Sequence, residues 1–485
     1  MATFGNNSIN SIRAVIQFTV LLGLALGLGY LMSISGIAGA GLVAVLPIGL
    51  VYMYILFTKP IWGLYTYIIC SYFIVGVIRY VNAPAGLAVD FVLFLTAAAV
   101  IFTGKKADIA KANNPMSWIV IIWFLYTAAL VANPEARSLQ AWFYAIRGLS
   151  GYFAIAIPLI FILMDKKRDL NLFLKLYFIF TVITAIWGIK QRFYVDWAEQ
   201  RWLDAGSNLT HIIDGKLRVF SFLSDAGQFG ALMAHAIIFC VIFALSYKDI
   251  KRKVAFSGLS LFFFISLAIS GSRGPVIIVF AGLAVYLLMI QNFRLLVGGL
   301  IIGGSAFYIL AYTSIGQDQY EIRRLRTALD PNDASFQVRL ENQKKLRVYL
   351  ANKPFGGGVG SGGNWGERFT PNTFLAQTPY DSWYVKVWVE TGIIGLVLYG
   401  IMHVIILVIG FIHVNRVKEP ILRAKGIALY AGFFGVLVGS YGNQIYGQMV
   451  ISCLICYTLV YMYVIDKMDD TITKKSTDHV KKSIY

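Results

Sequence analysis

Charge is scarce in this chain. Only 14% of the 485 residues are Asp, Glu, Lys or Arg, against 58% hydrophobic and 15% aromatic, and the mean hydropathy is +0.69. That polar surface is far too small for a water-soluble globule of this size, and the composition predicts an all-α polytopic membrane protein. Cysteine is scarce too. Cys70, Cys240, Cys453 and Cys456 all fall in apolar runs, and none is paired with histidine at metal-ligand spacing, so no metal-binding cluster is visible. Cys453-Leu-Ile-Cys456 has CxxC spacing, but two small apolar residues in a buried helix account for it. The chain has no Gly-Lys-Ser/Thr after a strand, which excludes a P-loop. It also lacks a short apolar run with a small-residue cleavage site, so the first span is expected to be retained as its own insertion signal.

What the chain does have is a long succession of apolar runs. Read as helices, they predict about fourteen spans, within a range of twelve to fourteen, with cores at 14–32, 37–57, 61–78, 86–103, 116–132, 147–164, 171–189, 219–247, 254–271, 275–290, 293–313, 383–412, 424–444 and 447–465. The whole of 1–485 reads as a single integral membrane domain. It carries a large loop at 314–382, a smaller one at 190–218 and a basic tail at 466–485.

Lysine placement sets the orientation, because short cytoplasmic loops keep basic residues. A cytoplasmic N-terminus puts Lys105, Lys106, Lys111, Lys166, Lys167, Arg168, the lysines of 248–253, then Arg416, Lys418, Arg423, Lys425 and the tail all on that face. The short loops of the other face, 79–84, 133–145 and 271–274, contain no lysine. Both termini are therefore expected in the cytoplasm. The formal net charge of +18 sits in loops between apolar spans, which points to anionic membrane lipids or a diphosphate-bearing substrate as partners rather than nucleic acid.

Two outward segments depart from the pattern. The stretch 312–395 carries Arg323, Arg324, Arg326, Arg339, Lys344, Lys345, Arg347, Lys353 and Arg368, and 190–218 is also basic. A bound diphosphate explains an outward basic face; solvated amphipathic helices are the plainer explanation. Within the large loop, 335–352 has a helical pattern with Phe336, Leu340, Leu346, Val348 and Leu350 expected on one side, and Pro354 stops it. The glycine-rich run 355–363 is expected to form a tight turn or an anion nest where backbone approaches a ligand.

Arginines inside spans or at their outer ends are costly and need partners. Five stand out: Arg79, Arg147, Arg218, Arg273 and Arg339. If Arg218 opens a helix, Asp225 lies about 10 Å along its axis on nearly the same face, with Gln228 one turn further. The pair then either flanks a ligand or leaves Asp225 to neutralise a neighbouring arginine. Arg273 sits in Ser270-Gly271-Ser272-Arg273-Gly274-Pro275, a turn whose amides and guanidinium suit an anion, or whose arginine snorkels to headgroups.

Four motifs in this order resemble the O-antigen ligase and O-antigen polymerase superfamily of bacterial envelope glycosyltransferases. They are Arg218 before Phe-Ser-Phe-Leu-Ser-Asp, the Ser-Gly-Ser-Arg-Gly turn, an arginine-led helix ending in Lys-Pro-Phe-Gly-Gly-Gly-Val-Gly, and Trp-Val-Glu390-Thr-Gly-Ile-Ile-Gly-Leu. The resemblance spans roughly residues 140–445 and implies a GT-C-like helical fold in the bacterial inner membrane. It also implies a periplasmic site that takes a glycan from undecaprenyl diphosphate without metal or other cofactor. A ligase passes the glycan to lipid A core or a similar acceptor; a polymerase passes it to another lipid-linked repeat. By position, Arg218 and Arg339 match the two arginines on which the family relies most, and Arg273 the Ser-Arg-Gly arginine. Arg147 is expected to join them on the diphosphate, with Asp225, Gln228 and Arg79 supporting. Where the ligase pattern has histidine, nine residues before Glu390, this chain has Asp381. A carboxylate can take a proton from an acceptor hydroxyl, so Asp381 is the candidate base. Glu390, about 13 Å further along the helix, is read as structural.

The chemistry of the residues agrees. Breaking the sugar C1–oxygen bond builds negative charge on the diphosphate, which arginine forks stabilise. Attack from the opposite face inverts the anomeric centre. The expected activity is therefore ligation, with repeat-unit polymerisation as the alternative. A small-anion transporter of the same superfamily is a third reading; its mid-span candidates, His235 and His403, are each better explained as buried hydrogen-bonding histidines.

Overall fold

The computed structural model describes residues 47–81, 85–104, 106–213, 215–290, 293–319, 322–323, 326 and 334–469. The expected span 14–32, most of 37–57, nearly all of the tail, Lys105 and Arg324 lie outside the described residues. The chain divides at residue 62 into two compact units. Of the first, helix α1 (Pro47–Thr58) is apolar but short for a membrane span.

The second unit is helical almost throughout. Its principal helices are α2 (Ile61–Tyr80), α3 (Ala88–Thr103), α4 (Pro115–Ala129), α5 (Leu139–Ile146), α6 (Tyr152–Leu163), α7 (Lys167–Phe193), α8 (Trp197–Trp202), α9 (Ala226–Ser246), α10 (Ile250–Ile269), α11 (Gly274–Ile290), α12 (Phe293–Tyr312), α13 (Ala334–Leu350), α14 (Gly363–Phe369), α15 (Trp383–Arg416), α16 (Pro420–Gly439) and α17 (Ile451–Val464). A two-residue antiparallel ladder joins β1 (Ile212–Ile213) to β2 (Lys216–Leu217), with Ile212 opposite Leu217. Among the described residues nine helices are long and apolar enough to cross a membrane, and shorter apolar helices add to them. This is a multi-pass, all-α membrane protein.

Enclosure identifies the centre of the bundle. α9, α16 and α17 are 78%, 72% and 83% buried over their apolar windows, whereas α10 is 17% buried and faces outward. Small residues let these helices close on one another, as is usual where water supplies no driving force between helices. A Cβ at Gly282 of α11 would fall 2.9 Å from the Ala431 oxygen of α16, and one at Gly435 would fall 2.6 Å from the Ile278 oxygen. The mid-span histidines are held by protein partners. His235 Nδ1 bonds the Tyr177 hydroxyl at 2.8 Å, and His403 bonds the Tyr399 carbonyl and the Tyr446 hydroxyl, each at 2.8 Å.

Several local expectations are corrected. The span expected at 219–247 starts only at Ala226, because Asp225 caps α9 by accepting the Gln228 N–H at 2.9 Å, and Ser221 ahead of it adopts φ 53°. The span expected at 424–444 ends at Gly439, and residues 440–450 form an irregular loop. α5 and α6 run on through a single π turn at Arg147–Gly151, which brings the start of that span back to Leu139.

The large loop is folded rather than loose. α13 packs Leu346 and Leu350 into a cluster with Leu375, Tyr380, Val385 and Val389, the last two on α15. Val348, expected on that face, is 80% exposed, since a residue two positions from each of Leu346 and Leu350 points the opposite way on a helix. The glycine run then docks on a kink in α15. Gly392 has φ 72°, Gly357 N–H donates to the Val389 carbonyl at 2.8 Å and Ile394 N–H to that of Pro354 at 3.3 Å. A Cβ at Gly392 would meet the Pro354 oxygen at 1.9 Å. Gly392→Ala is therefore expected to cost about 2–5 kcal/mol from left-handed strain plus overlap, read as a lower thermal unfolding midpoint in detergent.

Candidate functional site

The segment before α9 has to be held in place because it is not helical. Arg79, 7% exposed at the end of α2, does this by donating to the Ser221 carbonyl at 2.6 Å and to the Leu223 carbonyl, with its guanidinium over the Trp202 and Phe220 rings at 4.6 and 4.5 Å. Gln191 adds its side-chain oxygen to the N–H groups of Phe220 and Ser221, each at 2.9 Å. Pinned in this way, the segment presents Arg218 at one end and Asp225 at the other.

Arg218 then meets the turn between α10 and α11. Its Nη2 donates to Ser272 Oγ at 2.7 Å and its Nη1 to the Thr210 carbonyl at 2.9 Å. Its stem runs across Gly271, where φ is +58° and a Cβ would stand 3.2 Å from Arg218 Cγ. The Ser-Gly-Ser-Arg-Gly turn thus orients Arg218 as well as carrying Arg273.

A cavity of about 670 Å³ opens at this end of the bundle. The starts of α9, α11 and α15 and the loop following α16 border it, together with one face of α13. Arg218, Arg273, Arg339, Asp225, Gln228 and Asp381 all line it, from segments separated by up to 163 positions in the chain. Asp381 accepts from Arg339 Nε at 2.7 Å, both groups being partly open to solvent. Three helix N-termini add partial positive charge to that of the arginines. His211, also in the wall, is kept below the ordinary imidazole value of 6.5, first by burial and also by nearby Arg218 and Arg79, against the pull of Asp225 and a bond to the Ser207 carbonyl.

Two expected site residues lie elsewhere. Arg147, expected on the diphosphate, is paired with Asp90 at 2.6 Å and stacks over Tyr144, outside the cavity wall. The π turn that begins at Arg147 points it toward α3. Arg79 supports from behind, as described. The glycine run 355–363 supplies no lining residue, because its backbone is spent on α15 and on Ala136 and Ala141. Glu390 is fully buried, 3.9 Å from Lys386 and away from the cavity. Of the smaller segment expected at 190–218, Lys190 lies in the last turn of α7 and is occupied by Asp196 and Glu199 at 3.0 and 3.2 Å.

Sequence reasoning missed the 440–450 loop, which contributes Tyr441, Asn443, Gln444 and Gln448. Its signal was present in Ser440-Tyr441-Gly442-Asn443-Gln444, a run of turn-forming polar residues that should end a span.

Fold and site together define a class: a multi-pass, all-α membrane protein with a cationic cavity able to receive an anionic ligand where its helices end. Residues 258–400 match the family model described as O-Antigen ligase. The chain is also 23% identical over 334 residues to the O-antigen polymerase of Salmonella muenchen, covering 65% of this chain and 80% of that protein. Over these stretches the chain is similar to the O-antigen ligase and O-antigen polymerase superfamily.

Proposed function

We propose that this protein is an inverting glycosyltransferase that polymerises lipid-linked glycan repeats, using a polyprenyl-diphosphate glycan as donor and the sugar hydroxyl of a second lipid-linked repeat as acceptor. The observation that carries it is the convergence of Arg218, Arg273 and Arg339 with Asp381 on one cavity. The relative's name favours polymerisation over the ligation expected from sequence. Ligation to a lipid A core or similar acceptor is the second reading, favoured by the description of the matching family model. Transport of a small anion has no comparable support, since both mid-span histidines are hydrogen-bonded within the protein.

In the proposed reaction the acceptor oxygen attacks C1 of the donor sugar from the face opposite the diphosphate. The C1–O bond breaks, its electron pair leaves with the diphosphate, and the hydroxyl proton passes to Asp381. Arg218, Arg273 and Arg339 hold the leaving group, whose charge rises as the bond breaks. Arg79 supports Arg218 and Asp225 through the backbone between them. The cavity faces the periplasm of a bacterial inner membrane in this reading, with both termini cytoplasmic and a GT-C-like arrangement of spans.

The deletion phenotype tests the assignment. Loss of the protein is expected to leave surface glycan of a single repeat. Full-length lipid-linked chains unattached to their acceptor would instead indicate a ligase, and unchanged glycan with altered anion uptake would overturn the enzyme reading.

A further inference from the structure

Besides the arginines and the carboxylates, the cavity lining carries a set of carboxamides. Gln228, Asn443, Gln444 and Gln448 come from the start of α9 and the 440–450 loop, and Asn342 and Gln343 from α13. Their hydrogen bonds leave a defined set of groups unspent. Gln228 is 1% exposed and donates through Nε2 to the Gln444 and Ile445 carbonyls at 3.3 and 3.2 Å, which fixes its amide. Its buried Oε1 has no donor among the described residues. Gln448 is fixed the other way round, its Oε1 accepting from Ser224 Oγ at 2.5 Å, so its Nε2 is left to donate. Ser224 in turn also touches Asp225 at 3.0 Å.

Asn443 stands between them. It occupies a notch made by two glycines at helix starts: a Cβ at Gly274 would come within 2.8 Å of Asn443 Nδ2, and one at Gly227 within 3.3 Å. Gly274 follows Arg273, and Gly227 lies two residues past Asp225. Glycine at both places gives the carboxamide room between the cationic turn and the capping carboxylate.

An acceptor without charge, a pair of donors and a carboxamide offering both are matched to groups that donate and accept together, as sugar hydroxyls and acylamino groups do. A free phosphate or a lipid tail uses neither the buried acceptor of Gln228 nor the mixed face of Asn443. We infer that Gln228, Asn443 and Gln448 form the subsite for the donor's diphosphate-proximal sugar, reading its hydroxyl or acylamino groups while the arginines hold the diphosphate. This rests on the glycosyltransferase reading above and adds which part of the substrate the carboxamides recognise.

The test compares two ligands on the full-length protein in lipid nanodiscs: lipid-linked oligosaccharide extracted from cells lacking the protein, and undecaprenyl diphosphate bearing no sugar. Wild type is expected to bind the first more tightly. Asn443→Ala, and the uncharged Asn443→Ser should alanine unfold the loop, is expected to weaken the sugar-bearing lipid roughly tenfold and to leave the bare lipid unchanged. Arg218→Lys is expected to weaken both alike. Equal affinity of wild type for the two lipids, or Asn443 variants that lose both equally or neither, would overturn the subsite and leave the diphosphate site standing. Wild type that binds neither lipid would overturn the glycosyltransferase reading and the subsite with it.

Discussion

Asp381→Asn is expected to abolish glycan assembly while leaving the protein folded, inserted and able to bind donor. Proton transfer by a positioned base contributes about 10²–10⁴ in rate, and the amide that replaces the carboxylate has the same shape but takes no proton. The substitution isolates chemistry because Asp381 stands before the first turn of α15, outside the buried cluster that docks α13. Its bond from Arg339 Nε, 2.7 Å, can be kept by the amide oxygen. The measurement is single-turnover transfer by purified protein, with donor binding followed in parallel. A transfer rate within threefold of wild type would show that Asp381 serves only to hold Arg339, and the base would then be sought elsewhere.

Arg218→Lys is the second substitution with a large expected effect, a fall of roughly 10²-fold in kcat/KM. Arg218 reaches Thr210 and Ser272 with two different nitrogens at once. A lysine ammonium is a single point on a flexible stem and cannot reproduce a planar fork anchored at both edges. The Ser272 bond ties Arg218 to the turn that carries Arg273, so the substitution also loosens the relation between the two arginines. Arg339→Lys should act in the same direction through its loss of the Nε contact to Asp381. If Arg218→Lys retained near-normal kcat/KM, the residue would be an anchor for its own loop and not a diphosphate contact.

The helical membrane architecture was legible because apolar runs of the right length admit few other structures. The residues lining the cavity were legible in part. Arg218, Arg273, Arg339 and Asp381 could be singled out because arginine and aspartate beside apolar spans need a reason to be there. Their meeting in space, and the 2.7 Å ion pair between Arg339 and Asp381, could not be read from a chain in which they lie far apart. Arg147 looked the same as Arg218 in sequence. Only the fold shows that Asp90, 57 positions earlier, takes it up. The glycines of 355–363 read in sequence either as a tight turn or as an anion nest, and in the structure the run turns back on the protein, with Gly356 closing on Gly392 of α15. Asn443 and Gln448 are not legible in the same way, because a carboxamide at the end of an apolar run carries no charge that needs a partner.

At the glycine run the fastening between the large loop and α15 is made from main chain: the Pro354 carbonyl, the Gly357 amide, and the backbone on either side of Gly392. From α4 and the loop after it, Tyr126 and Asn133 likewise grip carbonyls, those of Thr391 and of Phe355 and Gly356. Side chains of the glycine run can therefore change without undoing this part of the join, provided the glycines at the close approaches stay, while Leu346 and Leu350 hold the other part. Residues that keep Asp381 in register are in this way separated from those free to vary, so one scaffold can change its lining without reinventing how it holds its own shape.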